Sequence, residues 1–561
     1  MRRAFLALWA VALAPLTACA GAPGGAGSAP GSVASPREDR VTLTAFDVIP
    51  AVAASQHTVY IATIDGIGAL DRDFQRWLPP VSRAEGYPGG AVTAIAADPM
   101  EEGVWIALAG ALVYYRPSLG QVLGSAIPGV IDAIVFDRRD PGAGAYLHGA
   151  MGWSLASRTG MVVPVDPARV PQPDARQAPS TLSDVYRSYP SLRAAGALLT
   201  RDDQLQSWPV IAGTSSPDRS EVWLGTRGGG LFRVDPLFLK GEQIPYGPLQ
   251  TGTGALARDS GGIWMAGLGP GGDAGVIGTT IGSWRAGLAF ASGDLQHWRW
   301  LDAPASARVL SGARANRLSV RAPHAWVATD RGLALLDTRD ASRALLWTQT
   351  TGLPDDRALA VAATESGAWV GTARGLAFVS VAGTSPVARA SDVHSPNAPA
   401  TAVRALLLAG DTLWIGSDAG VLLLRGASPD SAARLAALGD ARLSRPVVAL
   451  ASSDSLVAVA TERDLIVVDP QRAAVLPRFD VVNTSPLRRV NAMAMDGSTI
   501  WLAGDGGVLI VTRANGASRF LPAPGAVPAE AFDVVLDPDH AWVATRAGVL
   551  RLARSTDGGV R

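Results

Sequence analysis

From about residue 40 onward, short apolar runs alternate with turns rich in Gly, Asp, Ser and Pro. Ala358-Leu-Ala-Val-Ala-Ala363 is one such run, Ala368-Trp-Val-Gly371 the next and Leu376 to Val381 the third. Glu365-Ser-Gly367 and Thr372 to Gly375 separate them, with Gly375 placed to take a positive φ. Runs this short, bounded by turn formers and partly β-branched, predict strands, and no part of the pattern holds a helical period. A fourth strand precedes each trio, as in Ala344-Leu-Leu-Trp-Thr-Gln349.

The pattern repeats. Its clearest copies are Ala325-Trp-Val-Ala-Thr-Asp-Arg-Gly-Leu333, Ala368-Trp-Val-Gly-Thr-Ala-Arg-Gly-Leu376 and Leu413-Trp-Ile-Gly-Ser-Asp-Ala-Gly-Val421. Further copies centre on Tyr60, Trp105, Tyr146, Trp223, Trp264, Ala458, Trp501 and Trp542. Most successive centres lie 41 to 45 residues apart, the length of a four-stranded propeller blade. The reading is an all-β chain, a β-propeller of about eleven four-stranded blades. The first strand of each unit is Ala-rich, as blades crowded near an axis require. The second carries a Trp, which fills space where blades diverge and buries ~150–250 Å². These rings are read as core and not as a ligand cage.

Trp347-Thr-Gln-Thr-Thr-Gly-Leu-Pro-Asp-Asp-Arg followed by Trp369-Val-Gly-Thr-Ala-Arg-Gly-Leu resembles the two-component-regulator propeller repeat. That repeat forms the periplasmic sensor part of some bacterial hybrid kinases, and the resemblance runs through nearly all of residues 40–554. It implies sensing outside the cytoplasm. The chain differs from the kinases in showing no membrane helix, kinase or DNA-binding domain after the repeats, so any signal is expected to pass to another protein.

Eleven units exceed the four to eight blades of one ring, which predicts two rings. The simplest partition is five blades over 40–293 and six over 294–554, with a tail at 555–561; the alternative is an interlocked pair, or one large ring, closed by the two termini. The last unit lacks a fourth strand, and Val41 to Val48 is a spare strand able to complete it and hide an edge. Trp298-Arg-Trp-Leu301 is a candidate for the same part in a second ring. Two units are long. Inserts near 166–206 and 268–285 fall in loops that share one face, and loops on a rigid scaffold carry function. The first offers Tyr186, Arg187, Tyr189 and Arg193, on a short helix beginning near Ser180; the second offers Asp273, Trp284 and Arg285. Aromatic faces beside arginines suit a sugar, a peptide or an anionic group, so these seven residues are the expected ligand-binding set.

The first nineteen residues read as a targeting segment: Arg2 and Arg3, an apolar run too short to span a bilayer, then Leu16-Thr17-Ala18-Cys19. This resembles the lipobox of bacterial lipoproteins, which makes Cys19 the lipidation site. Residues 20–39, mostly Gly, Ala, Ser and Pro up to Pro36, read as a flexible tether. Ala20 is not the Asp that resembles an inner-membrane retention signal, so the outer membrane is the expected address. Cys19 is the one cysteine, which leaves packing rather than disulfides to hold the fold.

Net charge is zero, and nothing marks a nucleic-acid surface. The six histidines show no metal-ligand spacing, and no nucleophile elbow or phosphate loop stands in its proper context. No cofactor, metal or catalytic residue is expected. Asp330, Asp418 and Asp505, and equally Asp98, Asp259 and Asp537, read as turn formers bonding to their own backbone. Ser292-Gly-Asp-Leu-Gln-His-Trp298 looks like the aspartate turns of sialidase-like propellers, where such turns are structural. The leading expectation is a binding or sensing lipoprotein of the cell envelope that takes a protein, peptide or carbohydrate ligand and is not an enzyme. The alternatives are an outer-membrane assembly scaffold and a carbohydrate-active propeller enzyme.

Overall fold

The computed structural model describes residues 40–555 apart from 128, 138, 141, 172–179, 270–284, 382–392, 395–400, 426–433, 436–439 and 473. Cys19 and the tether lie outside these residues, as do Asp273 and Trp284.

The described residues form eleven four-stranded antiparallel sheets, each with the shape expected of a propeller blade. Numbered in chain order, their first strands are Ala51–Ala54, Val92–Ala97, Ile131–Val135, Val210–Ser215, Thr253–Arg258, Ala315–Arg321, Ala358–Ala363, Val403–Ala409, Val447–Ser453, Val490–Met495 and Ala531–Leu536. Sheets 1 to 10 take four consecutive strands each. Sheet 11 has three, and Arg40–Leu43 pairs with Gly548–Ala553 as its fourth, Val41 opposite Arg551 and Leu43 opposite Val549. The spare strand expected at the start of the chain therefore completes the last sheet. Trp298–Leu301 does not close a ring; it is the ordinary fourth strand of sheet 5.

The repeat positions pack as their chemistry dictates. Trp105, Trp223, Trp264, Trp326, Trp369, Trp501 and Trp542 are fully buried. Thr372 closes the turn between second and third strands by donating its hydroxyl to the Gly375 carbonyl, and Gly375 sits at φ 126°. Ser417 and Thr545 do the same with Gly420 and Gly548.

First strands pack against first strands. In sheets 5 to 11 each touches the next in order, and that of sheet 11 touches that of sheet 5. In sheets 1 to 4 the contacts run from sheet 3 through 2 and 1 to sheet 4. Sheet 5, which the expected division near residue 293 places with sheets 1 to 4, has its first strand packed between those of sheets 6 and 11. The chain enters at sheet 11, builds sheets 1 to 4, then returns to complete the seven.

A large apolar cluster joins the two groups, drawing on sheets 1, 4, 5 and 11. Trp77 stacks on Tyr246 at 3.8 Å, and the Gln296 side chain bonds both the N–H and the carbonyl of Trp77, at 2.9 and 3.1 Å.

Candidate functional site

The expected ligand-binding residues lie on the two inserts. The first contains α1 (Leu182–Ser188), started by the Thr181 hydroxyl accepting the Asp184 N–H at 3.2 Å, and α2 (Pro190–Ala195). These helices pack on sheet 4, with Tyr186 and Tyr189 against Val222, Leu224 and Phe232. Arg187 is exposed and pairs with Asp184 at 2.7 Å, while Arg193 lies near Tyr186. Arg285 is far from them in character. It is 7 % exposed, sandwiched between Trp208 at 4.4 Å and Trp300 at 4.6 Å, ion-paired with Asp302, and bonded to the Gly228 carbonyl. Arg285 joins sheet 4 to sheet 5 and is spoken for. Trp208, just past the first insert, meets Arg285, and Gln206 at the insert's end donates to the carbonyl of its partner Asp302 at 3.5 Å.

The cavity beside the joint, about 530 Å³, is lined by Arg76, Trp77, Tyr246, Asp294, Gln296, Arg551 and Arg554 among others. Its charges are largely engaged. Arg551 bonds the Gly293 carbonyl at 2.8 Å, Arg554 pairs with Asp496 and bonds the Asp537 carbonyl at 2.7 Å, and Asp294 accepts the Gln296 N–H at 3.0 Å. Burial would raise the Asp294 carboxyl, but the Ser292 hydroxyl and backbone N–H groups hold it below the usual range.

Charges converge elsewhere, at one end of the seven-sheet cycle. Strand register fixes which end: Ala315 lies opposite Thr329, Val403 opposite Ser417 and Val490 opposite Gly504. The start of each first strand and the turn after its second strand therefore share an end, close to the centre of the cycle. In all seven sheets the pairing also slips by one residue there, at Asn316, Arg404, Asn491 and Phe532 among others. Two of these bridge to the next sheet, Asn316 to the Ala358 carbonyl at 2.8 Å and Asn491 to the Ala531 carbonyl at 2.9 Å.

Ion pairs stand around this mouth. Arg404 pairs with Asp418 at 2.6 Å, Arg489 with Asp505 at 3.3 Å and Arg546 with Glu530 at 2.5 Å. Asn491 donates to Asp505 at 2.8 Å, and Asp330 accepts the Arg314 N–H at 2.8 Å. Asp330, Asp418 and Asp505 were expected to form turns. The hydroxyls of Thr329 and Ser417 close two of these turns, Gly504 ends the strand before the third, and all three acids hold groups of the mouth instead. Asp98, Asp259 and Asp537 do bond their own turns, and each also accepts a buried indole N–H, from Trp105 at 3.1 Å, Trp264 at 2.8 Å and Trp542 at 2.7 Å.

Arg314 and Arg546 both lie over the Phe532 ring, at 5.3 and 5.7 Å. Arg314 belongs to sheet 6 and Phe532 to sheet 11, so the contact crosses sheet 5. Gly254 of sheet 5, between them, has no room for a side chain: a Cβ would meet the Ala315 carbonyl oxygen at 2.5 Å. Deeper in the centre, Arg317 of sheet 6 donates to the Asn491 carbonyl of sheet 10. Asp533 is buried beside it. Burial pushes that carboxyl up, against the pull of Arg317 and of the Leu256 and Val534 N–H groups. The mouth thus offers guanidiniums over a charged, plugged floor. It can hold a polar or charged group by hydrogen bonds. Among the described residues no three His, Cys, Asp or Glu side chains are grouped to hold a metal, and no helix is long and apolar enough to cross a membrane.

No family model matches the sequence, and no curated protein does. Among solved structures, the extracellular domain of a putative hybrid two-component system from B. thetaiotaomicron matches at 13% identity and a TM-score of 0.39, over 90% of this chain and 70% of that one. Virginiamycin B lyase from Staphylococcus aureus matches at 12% identity and 0.41, over 54% of this chain and 96% of its own. PorZ, a surface component of the type-IX secretion system of Porphyromonas gingivalis, matches at 13% and 0.34, over 93% and 88%.

Proposed function

We propose that the chain is an exported, lipid-anchored binding or sensing protein whose two sheet groups are propeller rings of four and seven blades, and that ligand recognition takes place at the mouth of the larger ring. One observation carries the reading: arginines and carboxylates from sheets far apart in sequence converge where first strands begin and second-to-third turns end. A fold held by packing alone has no need to bring these charges together at its centre. The lipobox-like Leu16-Thr17-Ala18-Cys19 supplies the anchor and the tether gives reach.

Two experiments test this. Replacing Cys19 by Ala is expected to move the protein from the membrane fraction to the soluble extracytoplasmic fraction; retention on membranes at high salt would remove the anchor from the reading. A photo-crosslinking residue at Arg331, beside the mouth, is expected to trap a specific adduct in intact cells that the same residue at Asp411, on a turn at the other end of the sheets, does not. Equal adducts from both ends, or none from the mouth, would overturn it.

A further inference from the structure

We propose that the mouth binds an oxyanion group, the carboxylate or phosphate of a ligand, among the guanidiniums of Arg314, Arg489 and Arg546. The inference rests on the reading of the mouth as the recognition site and names the chemistry it takes.

Three observations support it. First, Arg314 is exposed and its guanidinium makes no hydrogen bond or ion pair with any described residue, while it lies over the Phe532 ring. Second, its neighbours are positioned by partners of their own. Arg546 meets Glu530 through both Nε and Nη2, and Arg489 bonds Asn491 through Nε at 3.0 Å and Asp505 through Nη2. The Arg489 Nη1 has no hydrogen bond with a described residue. Third, the like charges are close enough to act on one another. Loss of surrounding water and then the repulsion of Arg489 and Arg546 lower the Arg314 pKa, against the opposing pull of Asp330 and Asp505. A guanidinium held near two others, on an aromatic ring and with its donors uncommitted, is matched by a planar or tetrahedral oxyanion, which accepts forked N–H pairs and relieves the repulsion.

The test uses the full-length protein in detergent, titrated calorimetrically at fixed ionic strength in chloride with inorganic phosphate and, separately, citrate. Saturable binding of one or both is expected. Arg314→Gln and Arg489→Gln should each weaken it about tenfold or more, while Arg321→Gln, at the other end of the same first strand, should leave it unchanged. Tighter binding of phosphate assigns a phosphate-bearing ligand, and tighter binding of citrate a carboxylate one. No saturable heat from either anion, or equal affinity in Arg314→Gln, overturns the proposal. If neutral dextrins bind and Arg314→Gln alters that binding while neither anion binds, the mouth remains the recognition site and only its oxyanion chemistry is overturned.

Discussion

At the scale of single residues, the indoles of the second strands differ in their partners. Trp264 and Trp542 donate to an aspartate five positions earlier, Asp259 and Asp537, whereas the indole N–H of Trp369 is buried without a partner. Thr364 occupies the matching position before Trp369, and its turn is the same: the Thr364 N–H reaches the Gly367 carbonyl at 2.8 Å, as Asp259 reaches Gly262 at 3.0 Å. Thr364→Asp is therefore expected to stabilise the protein by about 1 kcal/mol, seen as a raised melting temperature; no change would show that the indole is satisfied some other way. Trp369→Ala, by contrast, should cost roughly 3–5 kcal/mol, and a melting temperature equal to the parent's would mean the ring is not core. Asp98 carries a pH signature. Burial would raise its carboxyl, but the forked Arg158 contact at 2.7 and 2.9 Å, the Met100 N–H and the Trp105 indole outweigh this and hold it below the usual range. A carboxyl lowered by folding stabilises the native state above the unfolded pKa, near 4, and loses that contribution as pH falls toward the folded value. Asp98→Asn should cost about 3 kcal/mol at neutral pH and flatten the loss of stability below about pH 4; an unchanged acid limb in denaturant titrations would refute the assignment.

At the scale of elements, local pattern was easy to read and long-range association was not. Ala358–Ala363 was legible to the residue, because apolar spacing and turn formers act within a few positions. The short helix expected near Ser180 is there, beginning at Leu182 with Thr181 as its cap. Arg285 was not legible: its neighbours Trp208 and Trp300 come from different sheets, and an arginine beside aromatics looks alike in sequence whether it waits for a ligand or is already enclosed. Asp418 and Asp505 misled for a related reason. An acid in a turn has a sufficient local role, and only the packing of sheets around a common centre supplies the second one. The Arg285–Asp302 pair makes a further prediction. Arg285→Met leaves Asp302 buried without its cation and should cost about 3–5 kcal/mol, whereas adding Asp302→Leu should recover part of that loss; additive losses in thermal unfolding would show that the pair is not coupled.

At the scale of the whole molecule, sheet 11 is completed only by Arg40–Leu43, which buries Val41 and Leu43. Removing residues 40–43 should cost about 3–6 kcal/mol, from two buried apolar side chains and an uncovered strand edge; a deletion that melts like the parent would mean sheet 11 needs no fourth strand. The same repeat that made the sheets legible left their grouping open, since every unit resembles every other and the 41-to-45-residue spacing does not say which first strands meet. The joining strand also sets a timetable. Arg40–Leu43 must wait for Gly548–Ala553, with some five hundred residues made in between. The four-sheet group can mature early, while the seven-sheet group stays unlatched until residues 548–553 have been made. A nascent chain stalled or clipped before residue 548 would therefore leave Arg40–Leu43 without a berth, an open strand edge for a protease to meet.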